Sequence, residues 1–320
     1  MSNGIYLFIA SLSFALSVSL MPFWVHWMKH KQYGQAIRAE GPKWHEQKSG
    51  TPAMGGVIIL ATVLLFSLLL PLFDLPTDPI FYSLVFSLMA FGLIGFTDDF
   101  LKIFKKENEG LKSLQKFIAQ LVIGLIVMVW LVSHDHTLVI PFFATPIHIA
   151  LLVVLFGIIW MTGFSNAVNL TDGIDGLSGS TTILSLLFYL IYALHVENYG
   201  VVLFISILIG GILGFLCYNF KPAKIFMGDV GSLAIGGALA AISLALNQPW
   251  SLLGIGLIYV IETSSVILQV AYFKRTGKRL FKMSPIHHHF EMSGWSENKI
   301  VIVFSVITVI ASAVTLLWIW

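Results

Sequence analysis

The sequence predicts an all-α polytopic membrane protein with about ten transmembrane helices, and three observations predict it. Hydrophobic residues fill 57% of the 320 positions and charged residues only 11%, against about 25% charged in a soluble domain. The apolar residues fall into long, near-continuous runs that do not alternate, which suits spanning helices and not a β-barrel. Lys and Arg are confined to alternate connections between those runs, as expected of a chain with one orientation in a bilayer.

The runs cover residues 4–28, 54–70, 80–100, 114–132, 147–162, 178–196, 201–218, 232–246, 252–273 and 300–320. Lipid cannot satisfy free N–H and C=O groups, so each run must be a helix. The first has no basic segment before it and no cleavage site, and is expected to stay as an anchor. The fifth and eighth are short and hold Gly, Ser and Thr, which suits helices buried among others. Trp24, Trp27 and Trp320 read as interfacial residues. Cys217 is the only cysteine, so no intrachain disulfide forms, and it is expected as a small buried residue. Without a tandem repeat or long linker, residues 1–320 read as a single integral membrane domain.

Orientation follows from the connections. The first-to-second holds Lys29, Lys31, Arg38, Lys43 and Lys48, and the third-to-fourth holds Lys102, Lys105, Lys106, Lys112 and Lys116. The seventh-to-eighth holds Lys221 and Lys224, and the ninth-to-tenth holds Lys274, Arg275, Lys278, Arg279, Lys282 and Lys299. These are all 18 cationic residues of the chain. The opposite connections, 71–79, 134–146, 195–200 and 247–250, hold none. The cationic side is therefore expected to be cytoplasmic, with both termini extracytoplasmic. The connection 164–177 has cytoplasmic parity but carries Asp172 and Asp175 instead of cations. Something other than topology shapes it.

Five polar motifs lie on the cationic side. Asp98-Asp99 ends the third run, where the helix dipole disfavours carboxylates. A cation or a substrate proton explains such a pair better than a solvated helix end, because ionisable residues at membrane depth are functional by default. Residues 166–177 hold Asn166, Asn169, Asp172 and Asp175 with Gly173 and Gly176, which offer oxygen ligands and tight turns; Asp175 also suits a helix cap. Asp229, between Gly228 and Gly231, reads either as a helix cap or as a Mg2+ ligand. His287, His288 and His289 are too closely spaced for one zinc site, but with Arg275, Arg279 and Lys282 nearby they suit a phosphate. Lys48 to Gly56 combines a cation, hydroxyls and glycines, although Thr51 as a cap before Pro52 explains that stretch alone. Glu262 stands inside the ninth run, where it would break or hydrate the helix or find an internal partner.

Together these motifs resemble the polyprenyl-phosphate N-acetylhexosamine-1-phosphate transferases. The residues that carry the resemblance are Asp98-Asp99, the Asn-x-x-Asn-x-x-Asp-Gly-x-Asp-Gly-Leu run at 166–177, Asn219 with Phe226 to Ser232, and the His-His-His-Phe-Glu run. Within that superfamily, Thr51 to Gly56 and Pro285 to Glu291 look like the phospho-N-acetylmuramoyl-pentapeptide transferases; Ala53 departs from the Thr often found there. The resemblance spans essentially the whole chain. It implies transfer of a phosphosugar from UDP-N-acetylmuramoyl-pentapeptide to undecaprenyl phosphate, giving lipid I and UMP. It further implies a bacterial cell membrane location, contact with membrane lipid, a homodimer and no nucleic-acid partner.

On this reading Asp98, Asp99 and Asp229 are catalytic, and Asp229 with Asn169 holds Mg2+. Lys48, Thr51, Lys116, Asn169, Asp172, Gly173, Asp175, Asn219, Phe226, His288 and His289 hold substrate. Two rivals stand beside it. A transferase using UDP-N-acetylglucosamine fits less well with the His-His-His-Phe-Glu run, by resemblance. An ion-coupled transporter would place its acids near the bilayer midplane on broken helices, whereas here the acid pairs sit at one face.

Overall fold

The structure is a computed structural model that describes residues 3–31, 48, 50–104, 110–134, 137 and 148–320. Arg38, Lys43, Ser49, Lys105, Lys106 and His136 lie outside the described residues. The helices are α1 (Asn3–His30), α2 (Gly56–Leu69), α3 (Pro79–Phe104), α4 (Ser113–Val132), α5 (Ala150–Thr171) and α6 (Leu177–His195), then α7 (Tyr199–Asn219), α8 (Gly228–Ala245), α9 (Ser251–Ile255), α10 (Leu257–Thr276), α11 (Ile286–Glu291) and α12 (Glu297–Ile319). Among the described residues, ten helices are long and apolar enough to cross a membrane.

The core is built around α7 and α8, each 89% buried along its most apolar stretch, against 22% for α12. Small residues explain why these two sit innermost, because they let neighbouring backbones approach. On α7, Gly210 and Gly214 face α1, where Ser13 Oγ donates to the Ile207 carbonyl at 2.6 Å and Ser17 Oγ to that of Gly211 at 2.8 Å. On the other side α3 and α5 flank α8. A β-carbon at Gly95 would overlap the Asp229 carbonyl, so α3 lies directly on the first turn of α8. That contact sets the site, since Asp98 and Asp99 follow within one turn. Outward faces, such as Ile302, Val306, Ile310 and Val314 on α12, stay exposed, as a lipid-facing surface requires.

Four expectations are corrected. The fifth run does not stop at 162: α5 continues to Thr171, so most of the expected 164–177 loop is helix. The run 252–273 is two helices meeting at Gly256. The Ile255 carbonyl at that break accepts the Ser185 hydroxyl at 2.8 Å, which is how a break is tolerated inside an apolar bundle. Cys217 is exposed, not buried; it sits on the outward face of α7, below exposed Leu213. Of the two helices expected to be buried, α8 is, whereas α5 is only 44% buried.

Candidate active site

Asp98, Asp99 and Asp229 each offer an oxygen within 4.8 Å of the others. Asp98 is completely buried and Asp99 nearly so, about one and a half turns before α3 ends. Their surroundings fix each carboxylate. Asp98 Oδ1 accepts the Leu111 N–H at 2.7 Å, and Asp99 Oδ2 accepts the Val230 N–H at 3.0 Å. Asp229 does not cap α8, whose N-cap is Met227. Its Oδ1 accepts Asn169 Nδ2 at 2.9 Å, and Asn169 also donates to Ser232 Oγ at 2.8 Å. Asn169 can do this because the helical continuation of α5 puts Asn166, Asn169 and Asp172 on one face. Gly228 is required twice over: its φ is +78°, and a β-carbon there would crowd Asp99 Oδ2.

Two lysines face the acids. Lys116 Nζ lies 2.6 Å from Asp229 Oδ2 and 2.8 Å from Asp98 Oδ2. Lys102 pairs with Asp98 and stands 3.5 Å from Asp229. Asp98 Oδ2 nevertheless has no aligned hydrogen bond although it is buried. Three carboxylates with oxygens within 4.8 Å of one another, outnumbering the two lysines beside them, fit a hard divalent cation, which takes oxygen ligands.

A second cluster brings together residues far apart in sequence. Lys48 Nζ donates to Asp175 Oδ1 at 2.7 Å and to Glu297 Oε2 at 2.8 Å. Lys221 donates to Glu297 Oε1 at 3.0 Å. The Ala223 N–H donates to Asp175 Oδ2 at 3.0 Å, and the Asp175 N–H to Glu297 Oε2 at 3.2 Å. Burial pulls the Lys48 ammonium down, but its hydrogen bonds to Asp175 and Glu297 outweigh that and hold it above the ordinary lysine value. Asp175 is thus no helix cap; Gly176, with φ +78°, starts α6, and its N–H donates to Asn219 Oδ1 at 3.0 Å. Lys48 and Asn219, expected to hold substrate, are both engaged with protein here.

Between the clusters stands Asp172, half-buried. Its carboxylate has no hydrogen-bond or ion-pair partner among the described residues. Burial, reinforced by the negative charges of Asp229 and Asp175, pushes its carboxyl up to about 7. The neighbouring Gly173 leaves room for an imidazole: a β-carbon there would overlap His287 Nε2. His287 Nδ1 lies 3.1 Å from Glu262 Oε1, and both side chains are completely buried. Glu262 therefore has an internal partner. The imidazoles singled out from sequence, His288 and His289, face elsewhere. His288 Nδ1 lies 2.6 Å from Glu291 Oε2, and His289 Nδ1 accepts the Lys282 N–H at 3.2 Å.

The stretch after Lys48 is not a capped helix start. Helix α2 begins at Gly56 with no side-chain cap. Instead the Phe226 N–H donates to the Pro52 carbonyl at 2.8 Å, and the N–H groups of Gly55 and Gly56 donate to Phe226 and Met227 at 2.8 and 2.9 Å. Thr51 and Phe226 are half-buried beside that seam, which ties the Lys48 stretch to the Asp229 turn. Trp24 adds a hydrogen bond to the Met54 carbonyl at 3.1 Å, so it is more than an interfacial ring.

The sequence matches known proteins closely. The glycosyl transferase family 4 model matches residues 81–247, and the phospho-N-acetylmuramoyl-pentapeptide-transferase signature 1 matches residues 48–60. The chain is 50% identical over 309 residues to the phospho-N-acetylmuramoyl-pentapeptide-transferase of Enterococcus hirae, covering 96% of each chain. It is likewise 50% identical to that of Enterococcus faecalis over 96% of both chains, and 49% identical to that of Lactiplantibacillus plantarum over 94% of both. The chain belongs to the phospho-N-acetylmuramoyl-pentapeptide-transferase family. The family 4 match contains Asp98, Asp99, Lys116, Asn169, Asp172, Asp175, Asn219 and Asp229. The signature begins at Lys48. Glu262, His287 and Glu297 lie beyond both; sequence reasoning gave Glu262 and Glu297 no site role and read His287 only as one of three imidazoles suited to a phosphate. The only signals for the three were a carboxylate in an apolar run, a third imidazole and an acid just before the last span.

Proposed function

We propose that the chain transfers phospho-N-acetylmuramoyl-pentapeptide from its UDP conjugate to undecaprenyl phosphate, forming lipid I and releasing UMP. The observation that carries this reading is the α3–α8 cluster: three carboxylates converging on two lysines at the cationic end of an apolar bundle, one more acid than lysine. A water-soluble polyanion and a lipid phosphate meet only at a membrane face, and this cluster lies at one. Segregation of the cations supports a cytoplasmic face, with both termini outside, in a bacterial cell membrane. The chain acts as one membrane-embedded transferase domain. The family resemblance adds a homodimer on that ground alone.

Phosphoryl transfer needs alignment and charge neutralisation more than covalent chemistry. Mg2+, held by Asp229 with Asp98 or Asp99, would neutralise the diphosphate and polarise its oxygens. Asn169, expected beside Asp229 as a metal ligand, here donates to Asp229 Oδ1 and Ser232 Oγ, and on this reading it fixes Asp229 and leaves Oδ2 facing the cluster. A lipid-phosphate oxygen then bonds to the sugar-linked phosphorus, whose bond to the bridging oxygen breaks, and UMP departs with the electron pair. Asp98 takes the proton of a monoprotonated lipid phosphate or positions it. The burial of Asp98 and Asp99 favours direct attack over a route through an aspartyl-phosphate. Asp172 and Gly173, over His287, line the nucleotide end, and Lys116 meets the diphosphate. The fully engaged Lys48, Asp175 and Asn219 brace that wall from behind.

The test is UMP release by purified protein given Mg2+, undecaprenyl phosphate and either UDP-N-acetylmuramoyl-pentapeptide or UDP-N-acetylglucosamine. Release with the first alone is expected. Release only with the second would assign the chain to the sister activity.

A further inference from the structure

Lys116 occupies the place between two acids that a divalent cation would take. Its nitrogen bridges Asp229 Oδ2 at 2.6 Å and Asp98 Oδ2 at 2.8 Å. An ion held by the same two oxygens would compete with that ammonium for their lone pairs. Ammonium and metal therefore exclude each other there. Lys102 pairs with the same Oδ2 of Asp98 and stands 3.5 Å from the same Oδ2 of Asp229, so it adds a second cation to the same pair of acids. The three carboxylates and two lysines carry a formal excess of one negative charge. A divalent ion added without moving a lysine would turn that into an excess of one positive charge beside fully buried Asp98. Such an excess is costly at low dielectric. Neither ammonium is sealed in: the Lys116 side chain is 22% exposed and that of Lys102 38%. Both are long, flexible stems that can swing toward the opening.

We infer that Lys116, assisted by Lys102, is a resident counter-ion that holds the metal position closed, and that it leaves Asp229 for the diphosphate when metal and nucleotide enter together. This rests on the metal reading of the three carboxylates given above. Lys116 does two things in one movement. It keeps the acids paired when no substrate is present, and it delivers a positive charge to the incoming phosphates. Metal binding is weak alone and strong with a nucleoside diphosphate, because only the diphosphate brings the negative charge that lets both cations stay.

Mn2+ serves as a probe readable without turnover. The full chain in lipid nanodiscs is titrated with Mn2+ by electron paramagnetic resonance, with and without UDP. Without UDP, Lys116→Met should bind Mn2+ at least ten-fold more tightly than the wild type, and Lys102→Met should show a smaller gain. UDP should tighten binding in the wild type far more than in Lys116→Met. Equal affinities for wild type and Lys116→Met overturn the inference while leaving the metal site intact. Absence of Mn2+ binding to either protein, with or without UDP, overturns the metal reading and the inference with it. A second measurement needs no variant. Acylation of Lys116 in the wild type, followed by peptide mass spectrometry, should accelerate once Mn2+ is raised to the concentration that saturates the site without UDP, because the displaced ammonium then loses its ion pairs. An unchanged rate contradicts the exchange.

Discussion

The α3–α8 cluster and the cluster around Lys48 use the same two kinds of side chain at the same end of the bundle, and they differ in completeness. Around Lys48, two acids meet two lysines, and every carboxylate oxygen of Asp175 and Glu297 receives at least one hydrogen bond. On α3 and α8, three acids meet two lysines, and Asp98 Oδ2 is buried without an aligned donor. The first joins segments that are distant in sequence, with Lys48 reaching 127 residues to Asp175 and 249 residues to Glu297. It acts as a brace. The second retains negative charge that the protein itself does not satisfy, and it acts as a binding centre. Charged residues at a membrane face thus need not share a role, and the number of unsatisfied groups separates the two.

The sharpest way to break this comparison is to neutralise one acid of the unfinished cluster. Asp98→Asn should cut UMP release by about 10²–10³-fold, the usual scale for removing one preorganised charge at a reacting centre. Its thermal midpoint should stay at or above that of the wild type, because three acids share two lysines there and the variant removes the excess negative charge. An intact rate would remove Asp98 from the chemistry. The brace should respond the other way. Glu297→Gln leaves Lys221 without a charged partner and Lys48 with one, and should cost about 2 kcal/mol of stability, seen as a lower thermal midpoint. Activity per folded molecule should change little. A large loss of activity with unchanged stability would move Glu297 into the binding centre.

Asp172 offers a smaller, pH-dependent test between the two. Its carboxyl is raised from 3.8 in the unfolded chain to about 7 in the fold, so the folded state holds the proton more tightly. That contribution to stability is complete below about pH 4 and is lost as pH rises through about 7. Asp172→Asn removes the loss. Its thermal midpoint relative to the wild type should climb between about pH 4 and pH 7 and then level off. A flat difference across that window would mean that burial beside Asp229 and Asp175 does not raise the Asp172 carboxyl.

Much of this was legible in the sequence for physical reasons. Spans announce themselves because hydrocarbon forbids unsatisfied backbone, and Asp98-Asp99 stood out because a helix C-terminus at membrane depth disfavours carboxylates, whereas Asp229 also read as a helix cap. The brace was not legible as one object. Glu297, just before an apolar run, reads as an ordinary first-turn acid, and only folding brings it to Lys48 and Lys221. The run 166–171, with Asn166, Asn169 and Thr171, reads as loop because such residues favour turns and caps; packing of α5 against α8 overrides that preference and gives Asn169 its reach to Asp229. Three adjacent imidazoles look alike in sequence. A helix sends them about 100° apart, so of the three only His287 is buried and meets Glu262 and Gly173.

The most direct test compares Asp229→Asn with Glu297→Gln in one experiment, measuring Mg2+-dependent UMP release and thermal midpoint on the same preparations. The account predicts opposite outcomes. Asp229→Asn keeps its thermal midpoint and loses turnover by at least about 10²-fold, whereas Glu297→Gln loses thermal stability and keeps its turnover per folded molecule. Wild-type turnover in Asp229→Asn, or parallel losses of both properties in both variants, would contradict the division between an unfinished centre and a finished brace.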